Sequence, residues 1–314
     1  MGVYVFALTF LRALASLSIA AEAEWNLCDH IPLDQVMVQS HRGAGVLSPE
    51  NSLEAFELAW KLGTIPEADL RTTRDGVIVT FHDENFERIL PTAAPDFRKK
   101  GVKDLSWDEV SKLDIGTWKG PDFAGQRVQR MSDMFTYLAA HPDRQMYIDI
   151  KNVDLEQLAR EARGAGVAGR LILASTDYAV IRRWKALAPE SATLHWMGGT
   201  EKVLAGRFET LRKTGFADIT QLQIHVRVKN EADGKETMTP SAHFLREAGR
   251  ELRTHGIVFQ TLPWQSKDPK LFWKLMDLGA ASFATDYPDV TMRAIREYYA
   301  QRKKELKDKK DIKD

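Results

Sequence analysis

Apolar and polar positions follow two alternating patterns along most of this chain. Short apolar runs, typical of buried strands, are followed by segments in which apolar residues recur every three or four positions, as in amphipathic helices. The predicted strands are Gln35–Ser40, Val77–Phe81, Met146–Ile150, Leu171–Ser175, Thr193–Met197, Thr220–Val226, Ile257–Leu262 and Ser282–Thr285, with one more near residue 66. The predicted helices are Ser52–Leu62, Ser132–Ala140, Asp154–Ala165, Tyr178–Leu187, Glu201–Thr214, Ser241–Thr254 and Lys270–Leu278, and an amphipathic pattern starts again at Thr291.

This alternation predicts a single α/β domain over residues 24–300. About eight or nine strand candidates match a (β/α)₈ TIM barrel once one of them is assigned to a loop region. Residues 84–130 break the pattern and predict a small helical insertion after the second strand region. Side chains at the carboxyl ends of the strands would meet at one mouth of such a barrel.

The insertion carries its own local signals. Leu105–Val110 predicts a short helix with Ser106 at its N-cap and Glu109 three positions later. Its position lets the insertion overhang a pocket at the barrel mouth and select part of a bound substrate. Trp107 and Trp118 are expected to pack in a small satellite core rather than to stack on substrate.

Charge excludes several partners. The 314 residues contain 44 Lys and Arg against 44 Asp and Glu, so no overall basic field exists to hold nucleic acid or an anionic membrane. A small-molecule substrate is therefore expected, with a membrane lipid possible only as substrate, and any phosphate must be recognised locally. Residues 301–314 are predicted to form a charged, solvated tail.

The first 23 residues predict a signal peptide and hence a secreted or periplasmic protein. An apolar run, Val3–Ala20, precedes Ala21-Glu22-Ala23, the small-residue pattern of a signal-peptidase site. No Lys or Arg precedes the run and Arg12 interrupts it, so an uncleaved anchor and a mis-assigned start codon stay as alternatives. The lone Cys28 cannot form an internal disulfide and fits either compartment.

Two pairs of polar residues at predicted strands carry chemistry. Glu67 and Asp69 are two apart on a short strand, so their carboxylates point to one side and predict a site for a hard metal ion. His41 and His82 each follow an apolar strand, and two imidazoles that titrate near neutrality can serve as an acid and a base on a polarised ester.

These residues belong to a longer series of motifs. The series contains His41-Arg42-Gly43, Pro49-Glu50-Asn51, Glu67-Ala68-Asp69, Thr73-Arg74-Asp75-Gly76 and His82-Asp83, followed later by Ile148-Asp149-Ile150-Lys151 and Thr285-Asp286-Tyr287-Pro288. In order and spacing it resembles the glycerophosphodiester phosphodiesterase family over roughly residues 36 to 290. The resemblance implies hydrolysis of a glycerophosphodiester to sn-glycerol 3-phosphate and an alcohol.

The resemblance also implies roles for individual residues. Glu67, Asp69 and Asp149 would hold one divalent cation, Mg²⁺ or Ca²⁺, while His41 and His82 act as the acid and the base on water or on a neighbouring glycerol hydroxyl. Arg42 and Lys151 would bind phosphate oxygens. For Glu50, which lies beside His41 in the chain, contact with the metal, orientation of Arg42 and binding of a substrate hydroxyl are all open.

Two departures from the family pattern bear on the site. The third carboxylate is usually Glu, and the shorter Asp149 requires the ion to sit nearer its strand or to bind through a bridging water. Where the family usually has Trp-Thr on the penultimate strand, this chain has Gln260-Thr261, with Trp264 a few residues later as the candidate substrate wall.

Two other functions stay open at this level. Related phospholipase D toxins share the barrel, the two histidines and a metal triad ending in Asp, so release of a lysophospholipid or sphingolipid head group is the second hypothesis. The insertion, Pro49-Glu50-Asn51 and Thr285–Pro288 favour the glycerophosphodiesterase hypothesis instead. A third hypothesis, an inactive binding barrel, predicts the loss of a ligand or a histidine, and the sequence shows no such loss. The oligomeric state is left open.

Overall fold

Eight parallel strands close into a barrel in the computed structural model, which describes residues 25–230 and 236–311. The strands of the described chain are β1 Val38–Ser40, β2 Ile65–Thr72, β3 Ile78–Thr80, β4 Met146–Asn152, β5 Leu171–Ser175, β6 Ala192–Met197, β7 Gln221–Asn230, β8 Glu236–Thr239, β9 Val258–Pro263 and β10 Ser282–Thr285. Around the barrel the order is β1, β2, β4, β5, β6, β7, β9 and β10, and β10 pairs with β1 to close it. The predicted (β/α)₈ barrel is confirmed.

Helices follow the barrel strands on the outside, and two short ones lie in the insertion after β3. The helices are α1 Leu53–Leu62, α2 Pro95–Arg98, α3 Trp107–Val110, α4 Met131–Ala140, α5 Leu155–Gly164, α6 Tyr178–Leu187, α7 Glu201–Arg212, α8 Ala242–Thr254, α9 Pro269–Asp277 and α10 Pro288–Asp311, of which α2 and α3 are the two in the insertion. Several of them start at a residue whose side chain accepts a hydrogen bond from the first turn, as Ser52, Asp154 and Ser241 do. Each such cap stabilises its helix by about 1 kcal/mol, so the sequence fixes where these helices begin.

Two separate layers of side chains fill the barrel region. The main core lies between the outer face of the sheet and the helices, where Phe56, Trp184 and Phe272 are buried. Each large apolar side chain contributes roughly 1.5–3 kcal/mol on burial, so this layer holds the helices to the barrel. The barrel interior has a small apolar cluster that includes Tyr147 and Leu194, and it carries buried polar residues on the remaining strands.

One of the predicted strands lies outside the barrel, as the count of candidates required. Val77–Phe81 does form a strand, β3, but it pairs antiparallel with β2 and lies outside the barrel. The four-residue motif Thr73–Gly76 makes a turn in which Thr73 accepts the amide proton of Gly76, and this turn sends the chain straight back along β2. A second antiparallel hairpin, β7 with β8, extends beyond the barrel on polar sequence that showed no strand pattern.

The insertion between β3 and α4 has a small core of its own. Its buried residues are Val79, Phe81, Phe86, Ile89, Val102, Leu105, Val110, Ile115 and Val128. Trp107 and Trp118 pack against this cluster, as predicted. The short helix α3 has the predicted cap, because Ser106 accepts from the Glu109 amide and the Glu109 carboxylate accepts from the Ser106 amide.

The described part of the chain begins at residue 25 and ends at residue 311. The charged segment predicted as a solvated tail continues helix α10 as far as Asp311. The predicted signal peptide, residues 1–23, lies outside the described residues. Within residues 25–230 and 236–311, none of the helices is both long and apolar enough to cross a membrane.

Candidate active site

The candidate catalytic, metal-binding and substrate-binding residues lie around one mouth of the barrel. A cavity of about 180 Å³ at the carboxyl ends of the strands is lined by His41, Arg42, Glu67, His82, Asp149, Lys151 and Trp264. Asp69 lies fully buried beside Glu67 and Asp149, and Glu50 lines an adjoining cavity together with His41 and Arg42. Residues separated by more than two hundred positions in the sequence therefore form one site.

His82 reaches this mouth by an unexpected route. It does not end a barrel strand, as the sequence suggested, but follows β3, which runs antiparallel to β2. Because of that direction, the chain returns to the level of the acidic residues, and the Phe81 amide donates to the Asp69 carbonyl at 2.8 Å. The hairpin thus places the second histidine beside the carboxylates.

The three carboxylates form a compact cluster. Glu67 and Asp69 project from the same face of β2, and Asp149 stands opposite Asp69 on β4. One oxygen from each of the three lies within 4.8 Å of the others. Asp69 Oδ1 is buried and accepts no hydrogen bond in the described chain, although Lys151 Nζ is 3.2 Å away. The cluster therefore keeps an oxygen available for a cation.

The electrostatics of the cluster favour a cation. Burial raises the pKa of Asp149 to about 7, and the charges of Glu67 and Asp69 add to this effect while Lys151 opposes it. Burial likewise raises the pKa of Glu67. Burial acts in the same direction on Asp69, but Lys151, His82 and the amide of Asn51 outweigh it and lower its pKa. Lys151 alone does not offset the negative charge of three buried carboxylates.

Neighbouring amides hold the carboxylates in place. Gln39 Nε2 donates to Glu67 at 2.8 Å, and Asn51 donates to Asp69 Oδ2 at 2.9 Å while accepting the Asp69 amide proton at 2.8 Å. The sequence argument did not assign these positioning roles. The position of Gln39 was a usable signal, because residues two apart on a strand face the same side and Gln39 is two before His41.

His41 is held as a cation by acidic neighbours. Its Nδ1 lies 2.7 Å from Asp286 Oδ1. Burial works to lower the pKa of His41, but the charge of Glu67 and the hydrogen bond to Asp286 outweigh it and raise the pKa to about 9. The His41 loop is locked to Asp286 through Gly45, where a Cβ would lie 2.1 Å from the Asp286 carbonyl oxygen. At neutral pH, a pKa of about 9 keeps His41 protonated, so its ring has a proton to give.

His82 belongs to a closed ring of hydrogen bonds, the Arg88 ring, formed by Arg42, Glu50, His82, Asp83 and Arg88. Arg42 Nη2 donates to His82 Nε2 at 2.9 Å, and His82 Nδ1 is 2.7 Å from Asp83. A guanidinium group can only donate, so Nε2 must carry the lone pair and Nδ1 the proton. This tautomer is that of a neutral histidine with its basic nitrogen directed at Arg42.

Arg88 closes the ring from the insertion. Its guanidinium donates to Glu50 at 2.8 and 2.6 Å and to Asp83 at 2.8 and 2.9 Å. Glu50 in turn accepts from Arg42 at 3.2 Å through both of its oxygens. Of the three roles open for Glu50, the structure shows the contact with Arg42, and Glu50 lies outside the three-carboxylate cluster. The role of Arg88 was not predicted from the sequence.

An aromatic wall faces the histidines across the cavity. His225 stacks on Trp196 with ring centres 5.2 Å apart and meets the edge of Trp264 at 5.4 Å. Burial lowers the pKa of His225 to about 4, so this ring is neutral. Gln260 and Thr261, which replace the family's Trp-Thr, are fully buried in the barrel. A place for Trp196 and His225 in the site was not predicted from the sequence, although both residues lie near the carboxyl ends of barrel strands.

The chain is similar in sequence to phosphodiesterases of lipid-derived substrates. A Bacillus subtilis glycerophosphodiester phosphodiesterase is 22% identical over 318 residues, covering 95% of this chain and 98% of that protein. The human lysophospholipase D GDPD1 is 25% identical over 276 residues, covering 79% of this chain and 82% of that protein.

A solved structure of a phosphodiesterase from Oleispira antarctica, in complex with the product sn-glycerol-3-phosphate, shares the fold. The structural alignment covers 86% of this chain and 99% of the relative's chain, with a TM-score of 0.60 and 22% sequence identity. The sequence model of the glycerophosphoryl diester phosphodiesterase family matches residues 41–290, which is more than half of the 314 residues. The chain therefore belongs to the glycerophosphoryl diester phosphodiesterase family.

Proposed function

We propose that this protein hydrolyses glycerophosphodiesters to sn-glycerol 3-phosphate and an alcohol with the help of one divalent cation. The observation that carries the proposal is the meeting of three buried carboxylates with two differently protonated histidines at one barrel mouth. The product bound in the Oleispira antarctica relative supports the class of product. Family membership supports the class of bond that is cleaved.

Glu67, Asp69 and Asp149 would hold the cation. Carboxylate oxygens are the donors that Mg²⁺ and Ca²⁺ prefer, and the unbonded Asp69 Oδ1 gives such an ion a ready ligand. When bound, the ion supplies positive charge that offsets the anionic phosphate oxygens, which otherwise repel a nucleophile. The short Asp149 side chain already reaches the cluster, because it stands opposite Asp69 on the neighbouring strand.

The side chains of the site divide the remaining work. Arg42 and Lys151 bind the non-bridging phosphate oxygens, and charge-assisted hydrogen bonds of this kind are among the stronger ones in proteins. When Arg42 turns to the phosphate, it leaves His82 Nε2, whose lone pair becomes free. His82 then removes a proton from the nucleophile. Water as the nucleophile gives sn-glycerol 3-phosphate directly, whereas a neighbouring glycerol hydroxyl gives a cyclic phosphate that a water molecule then opens.

His41 completes the reaction on the other side of the phosphorus. The nucleophile oxygen bonds to phosphorus, the bond from phosphorus to the alcohol oxygen breaks, and the Nε2 proton of His41 passes to the departing alkoxide. Each proton transfer typically accelerates such a reaction on the order of 10²–10⁴-fold. The raised pKa of His41 and the neutral tautomer of His82 support this division into acid and base.

A second substrate class is supported by two observations. The third carboxylate is Asp149 rather than the usual Glu, and the human relative that matches most of this chain is named a lysophospholipase D. Release of the head-group alcohol from a lysophospholipid would use the same two histidines on the same kind of phosphate ester. The difference lies only in the acyl chain that the glycerol side must accommodate.

The deciding experiment is an assay of purified protein against glycerophosphocholine, glycerophosphoethanolamine, lysophosphatidylcholine and sphingomyelin, with Mg²⁺, with Ca²⁺ and with chelator. We expect sn-glycerol 3-phosphate from the first two substrates and no product in chelator. Lysophosphatidic acid as the main product would favour the second class. Absence of any product with either ion would refute both.

We also propose that the protein is secreted or periplasmic. The proposal is supported by the apolar run in residues 1–23 and the Ala21-Glu22-Ala23 pattern that follows it. Mass spectrometry of the protein recovered outside the cytoplasm should give an N-terminus close to Glu24. Recovery of full-length protein in the cytoplasm alone would contradict it.

A further inference from the structure

A second cavity, of about 310 Å³, opens beside the cavity of about 180 Å³ that contains the catalytic histidines. The two share His41, Arg42 and Trp264 as a common wall. The second one, named the alcohol cavity, is otherwise bordered chiefly by Trp118, Lys119, Gln265 and Tyr287 and by the carboxylates of Glu50 and Asp286. Because His41 gives its proton to the departing alkoxide in the proposed function, the alcohol portion of the substrate lies on this side.

The aromatic rings of the alcohol cavity are already engaged by cations of the protein. Arg88 lies over Trp118 with 5.3 Å to the ring centre, and Lys119 lies 5.9 Å from the same centre. Lys267 is 4.7 Å from the centre of Tyr287. Trp264 has Arg227 at 5.1 Å. A quaternary ammonium group is bound by aromatic faces, and here it would meet like charges at each of them.

Among the charged side chains of the described chain that line the alcohol cavity, one cation has no ion-pair partner. Arg42 and Arg88 are paired with Glu50 and Asp83 in the Arg88 ring, and His41 is paired with Asp286. Lys119 Nζ donates to the Ser48 carbonyl at 2.7 Å, and within residues 25–230 and 236–311 the structure shows no ion pair for it. Its charge is therefore available to a ligand.

Lys119 is also poorly solvated. The residue is half-buried, and burial lowers its pKa against the opposing effect of Glu50. A partly desolvated ammonium with free donor capacity forms stronger bonds to an anion than one in bulk water, because screening is weaker there. An anionic group in the alcohol cavity would thus offset the desolvation cost of the Lys119 ammonium.

We propose that the alcohol cavity selects diesters whose alcohol carries an anionic group, a phosphate or a carboxylate, and that Lys119 is the specificity-determining residue. The proposal rests on the proposed function. It predicts that the protein disfavours choline and ethanolamine as alcohols, because their cationic groups would face Lys119, Lys267 and Arg88.

The experiment compares two substrates that differ only in one anionic group, glycerophosphoinositol and glycerophosphoinositol 4-phosphate, with glycerophosphocholine as the cationic reference. For the unchanged protein we expect kcat/KM to be roughly tenfold higher for the phosphorylated substrate, the size of one charge-assisted hydrogen bond. In K119M this ratio should fall to near one, and in K119E it should invert. K119R, which keeps the charge, should keep the preference.

The control is K112M, in the same insertion. Lys112 is exposed and pairs with Asp108, away from the cavity, so the substrate ratio should not change. A preference of the unchanged protein for glycerophosphocholine would overturn the proposal, as would a ratio that K119M and K119E leave unaltered. Failure of the proposed function has a different signature, because no substrate would then release sn-glycerol 3-phosphate.

Discussion

Replacement of Arg88 by lysine tests whether the insertion positions the catalytic base. Arg88 has no part in binding the phosphate or in proton transfer in the proposed function, yet its four hydrogen bonds hold the two carboxylates that fix His82 and Arg42. A lysine keeps the charge but has a single nitrogen, which cannot bridge two carboxylates in the bidentate manner of a guanidinium. We expect R88K to lose at least one side of this bridge.

The size of the effect follows from geometry rather than from stability. The Arg88 side chain is 39% exposed, so its ion pairs add little to the free energy of unfolding after solvent screening. The larger consequence is movement of the His82 imidazole, because Asp83, which orients it, then loses hydrogen bonds from residue 88. A displacement of about 1 Å can cost roughly 10²-fold in rate. We therefore expect kcat to fall by about 10- to 100-fold, with a smaller rise in KM because Glu50, the other partner of Arg88, fixes the phosphate-binding Arg42.

The assay should compare a natural glycerophosphodiester with one whose leaving group is nitrophenol. A nitrophenolate departs without protonation, so loss of the acid is masked with this substrate, whereas loss of the base is not. R88K should lose similar activity on both substrates, and a variant at His41 should lose much less on the nitrophenyl substrate. This difference separates positioning of the base from general damage to the site.

R130K is a matched control for this substitution. Arg130 also pairs with a carboxylate, Asp133, also lies over an indole ring, that of Trp107, and has a side chain 41% exposed. It is not part of the Arg88 ring, so R130K should retain its kcat. Full activity of R88K, or an equal loss in R130K, would refute the reasoning.

Four further outcomes are expected. Glu67→Gln should abolish activity at ordinary metal concentrations and weaken metal binding measured by calorimetry; unchanged binding would exclude Glu67 as a ligand. His41→Ala and His82→Ala should each cost several orders of magnitude, with the double variant little worse, because groups acting as a unit are not additive; multiplicative losses would contradict a joint role. The folded-state pKa of His41, about 9, lies above its ordinary value of 6.5, so its contribution to the stability of the metal-free protein is complete below pH 6.5 and is lost as pH rises through 9. Thermal unfolding of Asp286→Asn should show a smaller loss of stability over this pH range than that of the unchanged protein. An equal loss would exclude the His41–Asp286 pair as its source. Asp149→Glu should lower kcat by roughly 10²-fold if the site is adapted to the shorter side chain, and a silent variant would remove Asp149 from the ligands.

The sequence predicted those features that depend on local pattern. Hydrophobic periodicity located the helices and barrel strands because each must bury one face against the other layer. The acidic pair on β2 and the carboxylate on β4 were found because a residue's face on a strand follows from its position alone. Their meeting at one mouth then follows from parallel strands in a closed barrel.

The features it did not predict depend on pairing at a distance. Whether Val77–Phe81 joined the barrel depended on the turn before it, since a short apolar strand carries no information on the direction of its partner. The wall of Trp196 and His225 consists of residues whose types are equally common in ordinary cores. The role of Arg88 could not be predicted, because it depends on hydrogen bonds to two carboxylates that the fold, and not the sequence spacing, brings close to it.

One element links the chemistry to the choice of alcohol. Arg88 lies over the ring of Trp118, and the next residue, Lys119, lines the alcohol cavity. The same guanidinium holds Asp83 and Glu50, which fix the base and the phosphate-binding arginine. Any displacement of this part of the insertion therefore shifts both the alcohol cavity and His82. Substitutions that alter alcohol preference through Trp118 are consequently expected to change kcat as well, whereas those at Lys119, whose ammonium is bonded to Ser48 and not to the Arg88 ring, should act mainly on KM.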